Sequence, residues 1–281
     1  MEPKDFESIL FDIERDSGIV TVTINCPEIR NALTLRVLLE LYWAVDAFEN
    51  DGAAKAMILT GAANPEAGDP ADEAFSSGGY FNPAELEAMD DDIREQIDLS
   101  DIAQKKLCLK MWDLHKPVIA AVNGLAIGGG FTVPLACADL IYASEHAWVK
   151  LPFVRIGITP ELASSYLLPR LIGFQRAKEI FFFGEKINAR ELEQMGLVNG
   201  VLPHDELMSH VRKIAESLIA PQGAELAVRW TKQVMHRPLI EAVTSALDLE
   251  NEALTKALGS ADFWEALAAR AGKRAPVFKG Q

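Results

Sequence analysis

Cysteine is scarce in this chain: Cys26, Cys108 and Cys137 are three among 281 residues. An odd number at wide spacing excludes a disulfide framework and fits a reducing, cytoplasmic setting. Long apolar runs are missing too. Stretches such as Val118–Val122 fall far short of the ~20 residues that span a bilayer, so no membrane partner is expected. The amino end, MEPKDFESILFDIERD, lacks an apolar h-region, and no signal peptide is expected. Positive charge is in deficit, with 27 Lys plus Arg against 41 Asp plus Glu and a net charge of −14. Such a chain repels nucleic acid and can hold a polyanion only through a local basic patch.

Several catalytic signatures are also lacking. Glycines at 124, 128, 129 and 130 make neither a G-x-G-x-x-G fingerprint nor a phosphate loop ending in Gly-Lys-Ser/Thr. His115, His146, His204, His210 and His236 do not fall at metal-ligand spacing. Ser76 and Ser77 have no His or Asp placed by motif to activate them. No tightly bound cofactor and no metal is expected.

What is present is concentrated in Asn123–Arg170. Three glycines, Gly128, Gly129 and Gly130, follow a β-rich run and precede a helix. Glycine lets the backbone approach a ligand closely and leaves N–H groups pointing outward. Further on, Glu161 follows Pro160 at an expected helix start. Amide donors and one carboxylate suit removal of a proton next to a carbonyl, with the oxyanion held by the amides. Plainer roles compete: glycines serve tight turns, and a first-turn acid complements the helix dipole.

The period of the apolar residues gives an α/β amino-terminal part and a helical tail. Ile9–Arg15 and Ile19–Ile24 read as a hairpin about Asp16-Ser17-Gly18. Thr34 caps a helix with Leu35, Leu38, Tyr42, Val45 and Phe48 at helical spacing. Strands are expected at Ala56–Thr60, Val118–Val122, Leu140–Ala143 and around Trp148–Leu151. Pro83–Lys110 reads as helical with an acidic middle, and Glu161–Leu171 and Phe174–Phe183 as helices about Gly173. From about Asp205 the pattern is helical throughout, with helices at Glu206–Ile219, Gly223–Met235, Ile240–Leu258 and near Phe263–Ala271. Residues 1–204 thus form the core and 205–281 a helical region.

Six segments, in this order, resemble the crotonase, or enoyl-CoA hydratase/isomerase, superfamily over almost the whole chain. They are PEIRNAL (27–33), AFSSGG (74–79), KPVIAAVNGLAIGGG (116–130), Ala138-Asp139 to Ser144, LVNGVLP (197–203) and KRAPVFKG (273–280). The resemblance implies a ββα spiral core that binds an acyl-CoA thioester, and a carboxyl-terminal helical region that assembles trimers or a dimer of trimers. It places the oxyanion amides at Gly79 and Gly129, with Gly128 as the alternative register. It assigns Arg30, Ala32, Ser77, Gly78 and Lys273 to the coenzyme A portion. Tyr80 stands where many relatives carry an aspartate.

The two glutamates of the hydratases correspond to Thr132 and Phe153, neither of which can serve as acid or base near neutral pH. Glu161 instead matches the sole proton shuttle of Δ3,Δ2-enoyl-CoA isomerases. The resemblance therefore implies 3-enoyl to 2-enoyl isomerisation. Hydration, thioester hydrolysis and a non-catalytic CoA-binding role are the alternatives.

Overall fold

The computed structural model describes residues 2–64, 66, 68–80, 82–98, 101 and 105–281. Ten strands follow in chain order among them: β1 (Ile9–Glu14), β2 (Ile19–Ile24), β3 (Ala56–Gly61), β4 (Ala74–Ser76), β5 (Val118–Val122), β6 (Leu125–Ile127), β7 (Leu140–Ser144), β8 (Trp148–Lys150), β9 (Ile187–Asn188) and β10 (Gly200–Leu202). The α-helices are α1 (Leu35–Asn50), α2 (Pro83–Ala88), α3 (Asp91–Arg94), α4 (Lys105–Asp113), α5 (Gly129–Cys137), α6 (Ser164–Ile172), α7 (Phe174–Phe183), α8 (Ala189–Gln194), α9 (Leu207–Leu218), α10 (Glu225–His236), α11 (Ile240–Leu258) and α12 (Ala261–Ala271).

The strands sort into two sheets, ordered β1-β2-β3-β5-β7-β10 and β4-β6-β8-β9. Pairing is antiparallel in the β1–β2 hairpin and between β8 and β9, and parallel elsewhere. Alternation divides the larger sheet between two layers. Val20, Val22, Met57, Leu59, Val118 and Ala120 pack on one face with Val37, Leu41, Val45 and Phe48 of α1. Ile19, Ile58, Ile119 and Ala121 point the other way, onto Leu207, Val211 and Ala215 of α9. Inner parallel strands buried on both faces need such unbroken apolar runs, as β3 and β5 show. The chain passes from one sheet to the other and back through helices, the ββα spiral expected of a crotonase fold.

Two of the tail helices are built into this core. α9 covers the sheet, and α11 inserts Val243 and Leu247 among the main apolar cluster.

Two expectations differ from what forms. The stretch 83–110 is not continuous helix: α2, α3 and α4 are separate, with breaks at Met89 and Asp90, and Ile93 buries itself against Leu35 and Met89. The resemblance also leaves the acyl pocket to the stretch 82–105, which lies partly outside the described residues. The helix expected from Glu161 begins instead at Ser164, because Leu162 and Ala163 both take the left-handed conformation, each with φ 57°. Strands β4, β6, β9 and β10 span only two or three residues, too few for periodicity to reveal.

Candidate active site

Three parallel neighbours, β4, β6 and β8, end on the same side of the smaller sheet, and each continues into one part of the site. β4 runs into Ser77-Gly78-Gly79, β6 into Gly128 and α5, and β8 into the segment that carries Phe153 and Glu161. Ligands of parallel sheets gather at such carboxyl ends.

The first turn is fixed by close packing. Gly78 has φ +85°, and a side-chain carbon there would lie 2.1 Å from the Ile127 carbonyl oxygen. At Gly130 such a carbon would meet the Ser76 oxygen at 2.2 Å, so α5 can seat against β4 only with glycine there. Ser76 Oγ accepts from the Gly78 amide at 3.2 Å, and Ser77 Oγ donates to the Ile29 carbonyl at 3.1 Å. Both hydroxyls therefore serve the turn.

The Leu33 and Gly78–Tyr80 backbones pair as a short parallel bridge. Leu33 donates to Gly78 O at 2.8 Å and Tyr80 to Leu33 O at 3.1 Å. This leaves the Gly79 N–H outside the bridge, and no hydrogen bond takes it among the described residues. The Gly129 N–H is likewise unengaged among them, being the first donor of α5, where a helix carries partial positive charge. Gly128 cannot replace it as the alternative donor. Its amide is already given to Lys150 O at 2.8 Å, an extension of the β6–β8 ladder.

Glu161 completes the group. A carbon at the Cβ position of Gly129 would lie 2.9 Å from Glu161 Oε1, 3.0 Å from Leu33 Cδ1 and 3.8 Å from Gly79 N. The carboxylate and the Gly79 amide therefore face each other across Gly129. Glu161 is half-buried by its own surface, yet its carboxyl group is crowded by protein. Burial pushes its pKa from the ordinary carboxylate range to about 7, and the charge of Glu250 adds to the shift. The plainer role of a first-turn dipole acid does not fit, since Glu161 precedes the first helical residue, Ser164.

Thr132 is fully buried on α5, and its Oγ1 has no partner among the described residues. Phe153 is buried and packs on Phe181, with ring centroids 6.2 Å apart, while its edge would come 3.6 Å from a carbon on Gly128. Aromatic bulk occupies the wall beside the glycines.

Of the residues assigned to coenzyme A, the structure joins Arg30, Ala32, Ser77 and Gly78. Arg30 is exposed and left-handed, with φ 57°, and its carbonyl accepts the Ser77 amide at 2.9 Å. Ala32 is buried beside Leu33. Lys273 is exposed just beyond the end of α12, and no hydrogen bond or ion pair ties it to Arg30 or Ser77 among the described residues. The neighbouring Arg274 is spent on Glu265, which its guanidinium holds down at about 2.

Two residues at the site escaped sequence reasoning. Asn31 is buried and accepts the Cys26 amide at 3.0 Å while donating to Ala62 O and Ala74 O at 2.9 and 2.8 Å. It ties the Arg30 loop to β4. Glu250 of α11 accepts the amides of Ala163 and Ser165 at 2.7 and 2.9 Å. A signal existed for Glu250: it interrupts the apolar face formed by Val243, Ala246, Leu247 and Leu254.

A two-sheet spiral with a carboxylate set beside two free amides defines a protein of the crotonase class. The sequence profile of the enoyl-CoA hydratase/isomerase family matches residues 14–281. Among curated relatives, the short-chain-enoyl-CoA hydratase of Clostridium acetobutylicum is 33% identical over 269 residues, covering 93% of this chain and 94% of that protein. The crotonyl-CoA hydratase of Syntrophomonas wolfei is 33% identical over 273 residues, covering 97% and 98%. The crystal structure of an enoyl-CoA hydratase/isomerase from Pseudoalteromonas atlantica superposes with a TM-score of 0.81 at 30% identity, covering 97% of this chain and all of that one. The chain belongs to the enoyl-CoA hydratase/isomerase family.

Proposed function

We propose that the protein isomerises 3-enoyl-CoA thioesters to 2-enoyl-CoA, with Glu161 as its proton shuttle. The Glu161 carboxylate takes a proton from C2. The electron pair left behind spreads over the dienolate, whose oxygen is held by the Gly79 and Gly129 amides. The same carboxyl group returns the proton to C4, and the double bond moves into conjugation with the thioester. One acid suffices because the proton taken and the proton returned are exchanged at the same face. Arg30, Ala32, Ser77, Gly78 and Lys273 take the coenzyme A portion, cations among them offsetting an acidic protein.

The observation that carries this reading is the approach of Glu161 Oε1 to Gly129 beside the Gly79 nitrogen. A carboxyl raised to about 7 is matched to proton transfer near neutral pH. Hydration is the second reading, and the names of the relatives favour it. It needs one group to activate water and another to manage the α-proton. Threonine and phenylalanine stand where the resemblance puts the hydratase acids, which weighs against it.

Separate incubation with 3-enoyl-CoA and 2-enoyl-CoA discriminates. Isomerisation makes conjugated absorbance appear from the first substrate, and hydration makes it vanish from the second. Glu161→Gln is expected to lower isomerisation by at least about 10³-fold with acyl-CoA affinity kept; unchanged turnover would refute the role. Because the base must be ionised, wild-type kcat/KM is expected to rise with pH through about 7. A profile flat from pH 5 to 8 counts against it.

We also infer assembly into a homotrimer, or a dimer of trimers, through the tail region 205–281. Leu226, Trp230 and Val234, four residues apart on α10, form one exposed apolar stripe, the kind of surface a subunit contact covers.

A further inference from the structure

We propose that Glu250 is a positioning residue for Glu161: from α11 its carboxylate grips the Ala163 and Ser165 amides and fixes the turn that delivers the Glu161 carboxylate to the Gly79–Gly129 amide pair. The inference rests on the reading of Glu161 as the proton shuttle.

The geometry is that of a clamp. Leu162 and Ala163, with φ 57° each, fold the chain back between Glu161 and α6. Left-handed backbone at two successive non-glycine residues is strained and persists only where surroundings hold it. Both oxygens of Glu250 are spent on that turn, Oε2 on the Ala163 amide at 2.7 Å and Oε1 on the Ser165 amide at 2.9 Å. These are donors at the start of a helix that its own backbone leaves unpaired. Eighty-five or more residues separate the partners in sequence. The clamp therefore ties the tail to the catalytic loop.

A structural cap alone would be served as well by asparagine or serine. Here a glutamate is buried to 5% exposure, with no cation paired to it among the described residues. The titratable groups that face it are Glu161 on the loop and Cys108 on α4, behind which lies Cys137 on α5. Asp101, ahead of α4, is engaged by Asn251. The Cys108 thiol is pushed well up and stays neutral, so Glu161 is the group that feels the Glu250 charge in the neutral range. Burial raises the pKa of Glu250 as well, against the lowering by its Ser165 and Ala163 donors; once ionised, it places behind the base a negative charge that makes Glu161 a stronger proton acceptor.

The test reads the Glu161 titration directly in full-length protein labelled with 13C at the glutamate carboxyl carbons, its resonance assigned through Glu161→Gln. In Glu250→Gln the midpoint is expected to fall by about one unit, because the like charge is gone. kcat on 3-enoyl-CoA is expected to fall about 10- to 100-fold with KM within twofold, because the base is no longer held in place. Leu247→Ala, one turn away on α11, loosens the same packing and is expected to lower Tm without moving the midpoint. A midpoint unmoved in Glu250→Gln, or moved as far in Leu247→Ala, overturns the proposal. Should Glu250→Gln not fold, Glu250→Asp keeps the charge but draws it back by one methylene. A midpoint equal to wild type in that variant overturns the proposal. If wild-type protein isomerises no 3-enoyl-CoA, the function proposed above fails while the carboxyl titration still decides on Glu250.

Discussion

Gly129 holds the two halves of the candidate site apart by the width of a missing side chain. Gly129→Ala would place a methyl carbon 2.9 Å from Glu161 Oε1 and 3.0 Å from Leu33 Cδ1. Both neighbours are ends of flexible side chains and can give way, so the fold is expected to survive with Tm little changed. The carboxylate moves instead, and a misplacement near 1 Å costs about 10²-fold in turnover. Gly130→Ala meets a backbone oxygen at 2.2 Å and is expected to fail in folding. Matched kinetics and melting curves check the contrast; full turnover in Gly129→Ala would show that the carboxylate does not work from that place. The glycines and Glu161 were visible in the sequence because their types imply donors and an acid. Their distances were not, and nor was the commitment of the Gly128 amide to Lys150, which depends on a strand of three residues.

At the scale of elements, short strands do the positioning. β4, β6 and β8 hold three residues each, and only β8 was legible in the sequence, yet their parallel alignment sets both glycine turns side by side. The long elements were legible: α7, α11 and β5 fall on the residues expected, and the hairpin nearly so. Asn31 is the pin between the Arg30 loop and β4, and its left-handed φ of 52° suits asparagine better than most residues. Asn31→Ala strands one buried amide and two carbonyls, and a loss of about 3 kcal/mol is expected. With the loop loosened, KM for acyl-CoA is expected to rise more than kcat falls. Urea denaturation and steady-state kinetics measure both, and wild-type stability would contradict the pinning role. Glu250 was readable in principle, as the one charge on an apolar helix face, but its partner lay on a loop whose path no period encodes.

For the whole molecule, the amino-terminal spiral and the helical tail share one core. α9 closes the outer face of the large sheet, and α11 contributes Val243 and Leu247 inside. Removal of a single buried leucine costs about 2–5 kcal/mol, against a typical total of 5–15. Truncation after Pro238 deletes several such residues together with Glu250. An unfolded or aggregated chain is expected by circular dichroism and gel filtration; a folded, monodisperse product would contradict the shared core. The two amides of the site have a different kind of permanence. They belong to the peptide bond, so substitutions other than proline leave them in place, whereas the acid opposite them is one codon from being something else. On the roles proposed above, a scaffold that keeps its electrophile-binding half in main chain and its proton-handling half in side chain is free to trade one reaction for another while the fold stays as it is.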